Sequence, residues 1–199
     1  MTKTEIIRKA ELYLDDSSEM STQEMSELFD KVYDAVCSYK PWEFTKRSHT
    51  ATVGGTVTTL PSNFLSLVRN YDSEYGEDPV VFVGATYIPF TVVNWSDRRR
   101  YTGHPNKAYL DIPNNQMVFT STVSDTIEFD YHAKMPALTA NQSPVFPEQF
   151  HHIIYHGMAV EELMVEQFEK ARSYAPENRQ KYQEYLDRMS YWNSRLVQL

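Results

Sequence analysis

The sequence is poor in the features that usually announce a mechanism. A single cysteine, Cys37, stands among 199 residues, so no internal disulfide can form. It falls among the apolar positions of an expected helix, where a free thiol behaves as a small hydrophobe. No apolar run approaches the ~20 residues needed to span a bilayer. The opening residues, MTKTEIIRKAEL, lack the uninterrupted apolar stretch of a signal peptide. The expectation is a protein made and used in the cytosol, or built into a particle assembled there. Basic side chains are outnumbered, 19 against 27 acidic, for a formal charge of -8. That field repels nucleic acid instead of gripping its phosphates, which argues against a sequence-reading DNA or RNA binder. Phosphate-binding glycine loops, nucleophile elbows and CxxC pairs are missing too, so nothing positive argues for an enzyme or a cofactor.

What is present sorts into three blocks by period. Thr4 to Asp15 reads as a short helix. A second helix starts at Ser21, whose spacing to Glu24 makes a capping box. Met25, Leu28, Phe29, Val32, Val36 and Cys37 recur at helical spacing, giving one apolar face that ends before Pro41. From Thr45 the pattern changes to alternation. HTATV, Gly54-Gly55 and TVTTL read as a β-hairpin with both glycines free to take positive φ. PVVFV, IPFTVV, KAYLDI, QMVFTST and TIEFDYHA follow as short strands, with Pro113-Asn114-Asn115 turning between the third and fourth of them. WSDRRRY adds one helical turn, with Ser96 as its expected cap. From Pro147 the helical period returns, and Pro176 is expected to divide this block into two helices. The second carries Tyr182, Tyr185, Leu186, Met189, Trp192 and Leu196 on one stripe. The fold class read from this layout is α+β: a helical bundle of residues 1–44 and 145–199, with residues 45–144 as a central antiparallel sheet or small barrel. Neither helical block can bury its apolar face alone, so the two are expected to pack on each other.

The stretch FPEQFHHIIYHGMAVEELMVEQF, residues 146 to 168, puts three histidines on what reads as one long helix. At 100° per residue, Phe150, Ile153, Ile154, Gly157 and Met158 gather on a core face. His152, His156 and Leu163 fall on the opposite side, as a second contact stripe. His152 and His156 are one turn apart, as helical zinc ligands often are, but HExxH is absent and a third ligand would have to come from elsewhere. Histidines at a subunit or helix interface are the preferred reading, with no metal. Glu161 falls near the middle of the core face, where a lone carboxylate is costly. It calls for a partner such as Arg8 or Lys9, an exit to a neighbouring chain, or a bend that lets it reach water. Arg98, Arg99 and Arg100 form the one dense positive cluster, read as a solvated turn or a match for acidic surface on a partner. Asp72 to Asp78 reads as an acidic surface loop instead of a calcium site, for want of alternating oxygen ligands.

The order of several short motifs resembles the head-to-tail adaptor (connector) proteins of tailed bacteriophages. They are KPWEFTKR with Trp42 and Phe44, LPSNF from Leu60 to Phe64, TGHPNKAYL with Gly103, Pro105 and Tyr109, IEFDYHAKMPALT from Ile127 to Thr139, and PVFPEQFHHIIYHGMAVE with His151 and Gly157. The resemblance spans nearly the whole chain. It implies a structural virion protein at the neck, a homo-oligomeric ring of about twelve copies closed by rotation. Such a ring docks on the portal protein, meets a tail or nozzle protein, and lets genomic double-stranded DNA pass without sequence-specific binding. The candidate subunit-interface residues are then His152, His156, Leu163, Glu161, Arg98, Arg99 and Arg100. Two other readings stand beside it. One is a different neck or tail-completion protein, such as a tail terminator. The other is a carbohydrate- or ligand-binding module using Trp95, Tyr87 and Tyr109, since aromatics stack on sugars.

Overall fold

A computed structural model describes residues 1–14, 20–69, 78–161 and 169–196. The chain divides into two compact units: residues 1–44 with 135–199, and residues 45–134.

In the first unit α1 (Lys3–Leu14) and α2 (Thr22–Ser38) come from the N-terminal block, α3 (His152–Val160) and α4 (Glu169–Leu196) from the C-terminal one. The start of α2 is set by local chemistry. Ser21 Oγ accepts from the Glu24 amide (3.2 Å), and Glu24 Oε2 accepts in return from the Ser21 amide (2.8 Å). Two of the orphan donors at the helix start are thus satisfied. Met25, Leu28, Phe29, Val32, Val36 and Cys37 are all buried, joined by Tyr33. After the helix, Trp42 is fully buried and its Nε1 donates to the Val36 carbonyl (2.8 Å). The first amides of α1 donate to the 140–142 loop, Lys3 to Gln142 O (2.8 Å) and Thr4 to Ala140 O (3.1 Å). Lys3 is itself buried, its Nζ 2.7 Å from both carboxylate oxygens of Asp30.

Two expectations for the C-terminal block are corrected. The long helix through residue 168 stops at Val160, because Glu161 turns extended (φ -63, ψ 144). Had the helix continued, the Glu161 carboxylate would have entered the core; leaving the helix there avoids that desolvation. Pro176, expected to separate two helices, lies inside the 28-residue α4. A proline inside a helix removes one backbone bond and strains the preceding turn. Burial of Ala175 and Asn178 on either side of it, continued by Leu186, Met189 and Asn193, holds the helix through the fault.

In the second unit β1 (Lys46–Thr59), β2 (Phe64–Leu67), β3 (Val80–Val83), β4 (Ile88–Val93), β5 (Lys107–Asp111) and β6 (Gln116–Ala133) form one sheet. The expected hairpin at Gly54-Gly55 does not form. β1 runs straight through both glycines and pairs antiparallel with β6 along its length, with an irregularity between Gly55 and Val57. Neither glycine has positive φ; among the described glycines that conformation falls to Gly84 and Gly103. QMVFTST and TIEFDYHA, read as two strands, are one 18-residue strand. The turn at 112–115 forms as expected, a 3-10 turn closed by Asn115 in the left-handed region.

β6 is the spine of the unit. One edge carries β1, the other carries β5, β3 and β2 in succession. Since β3 also pairs with β4, and β4 with β5, four strands close into a small barrel. The β4–β5 pair is parallel, so the sheet is mixed and not purely antiparallel. A parallel pair needs a crossover, and residues 94–106 supply it. The closed interior is filled by side chains, with Val81, Ala108, Met117 and Ile127 fully buried and Phe90 set edge-on to Phe119 at 5.7 Å.

Candidate functional site

The α3 histidines lie among aromatic rings of their own chain. His156 is buried and its Nδ1 donates to Asn178 Oδ1 of α4 (2.9 Å). Tyr185 stacks on its ring at 5.7 Å and 17°, while Tyr155 (4.2 Å) and Tyr13 of α1 (5.9 Å) close the other sides. His152 is half-buried, with Tyr155 and Tyr185 at 5.5 and 6.0 Å. His151 is buried: its Nε2 donates to Phe146 O (2.9 Å), and its Nδ1 lies 3.2 Å from the Met1 amine. Burial lowers all three imidazole pKa values, most directly by penalising the cation. For His156 the Asn178 bond opposes that shift, and for His152 the charge of Lys9 adds to it.

The second stripe therefore meets α1 and α4 of the same molecule, which is what buries His156. α3 is a helix packed on several sides. Leu163 lies outside the described residues. Among the described residues no three His, Cys, Asp or Glu side chains converge as a metal cage would need. Glu161 pairs with Lys31 of α2, not with Arg8 or Lys9. Its side chain keeps partial access to water, because the helix ends before it and the chain there turns extended. Cys37 is buried, and that burial pushes its thiol up to about 12, which removes it as a nucleophile at neutral pH.

The sequence matches the SU10 adaptor protein family over residues 1–198. The chain belongs to that family. It is a family of phage head-to-tail adaptors, so membership makes the protein a structural phage component that works by contact with other phage proteins. No curated protein matches the chain. Among the described residues no helix is long and apolar enough to cross a membrane.

In an adaptor the features of interest are surfaces. The crossover of residues 94–106 holds the expected positive cluster. Its 3-10 turn, Trp95–Asp97, is preceded by Asn94 at the cap position with no side-chain cap bond, so Ser96 is not the cap. The Arg98 guanidinium lies over the Trp95 ring at 3.9 Å, and its Nη1 donates to Trp95 O (2.7 Å). Arg99 and Arg100 are exposed. Trp95 meets Tyr109 edge-on at 5.4 Å and stays 44% exposed, while Tyr87 sits on the β3–β4 turn with φ 52. The three aromatics do not form one platform: Tyr87 contacts Phe82, not Trp95. On the helical unit, Leu12, Tyr39, Tyr174 and Tyr191 are large apolar side chains left exposed. The helical periodicity of residues 182–196 could have singled out Tyr191, which lies off the core stripe.

Proposed function

We propose that this adaptor forms a ring of identical copies at the neck of the virion, docks on the portal and connects the capsid to a tail or nozzle protein. The observation that carries the reading is the family match, which runs through both compact units. Genomic DNA passes through such a ring toward the host. The acidic balance of the chain favours sliding over retention, because few phosphates can be neutralised. The role is structural and needs no catalytic residue.

Light scattering on the purified chain, alone and mixed with portal protein, tests the reading. The expected result is a ring-sized mass and a stable complex with the portal. A monomer with no portal affinity would favour a ligand-binding module instead.

A further inference from the structure

The crossover between β4 and β5 is a built structure. Arg100 N donates to Asp97 O (2.9 Å), Tyr101 N to Arg98 O (3.3 Å) and His104 N to Tyr101 O (3.0 Å), so the segment winds through successive turns. Thr120 Oγ1 lies 2.5 and 2.8 Å from the carbonyl oxygens of His104 and Lys107, its single proton shared between them, which pins the far end of the segment to β6. On this frame Arg98 Cζ lies over the Trp95 ring at 3.9 Å, and Lys107 Nζ lies 5.8 Å from the Tyr101 ring centroid. Among the described residues no carboxylate pairs with Arg98, Arg99 or Arg100. Three adjacent guanidinium groups repel one another, and a planar fork held in place is prepared for an oxyanion.

The chain's own charge distribution points to where that oxyanion comes from. Residues 1–44 and 135–199 carry 18 acidic and 11 basic side chains; residues 45–134 carry 9 and 8. Nearly all of the net charge of -8 thus belongs to the helical unit. A second copy carries that same acidic helical unit, and so offers carboxylates to a basic cluster at close range. We infer that Arg98, Arg99 and Arg100 dock on carboxylates of the helical unit of a neighbouring copy. A contact between two different patches repeats from copy to copy and closes as a ring when the rotation allows. The inference rests on the reading of the chain as a ring component and assigns that ring one of its contacts.

The test is sedimentation velocity on the full chain and on an Arg99→Glu/Arg100→Glu variant, at about 50 and about 500 mM salt, with Debye lengths of roughly 14 and 4 Å. Both replaced side chains are exposed and make no bond that the fold uses, so circular dichroism should be unchanged. The expected result is assembly of the wild type that weakens at least about tenfold in high salt, and equally for the variant in low salt. Unchanged assembly by the variant would overturn the contact and leave the ring standing. No assembly by the wild type would sink the ring and the contact together. A third arm adds a short DNA duplex: binding by the wild type that is lost in the variant, with assembly unaltered, would reassign the cluster to phosphate.

Discussion

Replacing Gly157 with alanine would put a methyl group where two neighbouring helices already stand. An ideal Cβ at this position lies 2.5 Å from Val32 Cγ1 of α2 and 2.9 Å from Tyr182 Cε2 of α4. Carbon atoms in contact prefer about 3.5–4.0 Å, so both neighbours would have to retreat. Val32 is buried and β-branched, and so has little freedom at χ1. Relief toward one helix drives the methyl into the other. Overpacking of this kind costs about 1–3 kcal/mol, while alanine regains about 1 kcal/mol of helix propensity over glycine. Contacts of 2.5 and 2.9 Å on two opposed sides put the clash at about 2–3 kcal/mol, which leaves a net loss of about 1–2 kcal/mol. For a chain of this length that lowers Tm by about 2–8 °C. Urea unfolding followed by helical circular dichroism gives the measurement. An unchanged or higher midpoint for Gly157→Ala would show that α3 does not sit wedged between α2 and α4, and the account of the helical core would fail with it.

The histidines give a pH dependence of definite sign. Their folded-state pKa values lie below the ordinary value, so the unfolded chain binds protons first as pH falls. Stability is then full above about pH 7 and is lost from about pH 6.5 downward, through the lowered folded-state values. A urea midpoint that stays flat between about pH 7 and pH 5 would contradict the burial of these rings. In the β unit, Gly84 takes φ +71 whereas Gly54 has open space around it and no positive φ. Gly84→Ala should cost about 1–2 kcal/mol, and Gly54→Ala should be neutral or slightly stabilising; equal thermal shifts for the two would refute the backbone assignment.

What could be read in advance follows how far each signal reaches along the chain. The capping box at Ser21 and Glu24, the apolar face of α2 and the turn at Asn115 depend on residues three or four apart, and each forms as its chemistry requires. Gly54-Gly55 looked like a turn by the same local logic. It became strand because β6, more than sixty residues away, supplies a continuous partner: Ala51 lies opposite Ile127 and Gly54 opposite Ser124. Pro176 was outweighed in the same way by packing on both sides of it. For His156 the angular count found a second stripe, but periodicity cannot name the surface opposite. Tyr13, Asn178 and Tyr185 come from two other helices, and only the fold brings them to that ring. Glu161 was conspicuous as a carboxylate in an apolar pattern; the chain's answer, a helix end and Lys31, lay outside what a helical wheel describes.

The β unit begins and ends on paired strands. Lys46 opens the ladder opposite His132, and Thr45 reaches the His132 ring at 3.0 Å. To the rest of the polypeptide, everything between is a detour whose two ends are already tied together. The entropy of closing a detour grows only with the logarithm of its length, so its size and inner design are nearly free to drift. Such an insert is an interchangeable cassette: residues 45–134 could be exchanged at that clasp while the sequence before and after it keeps its own packing.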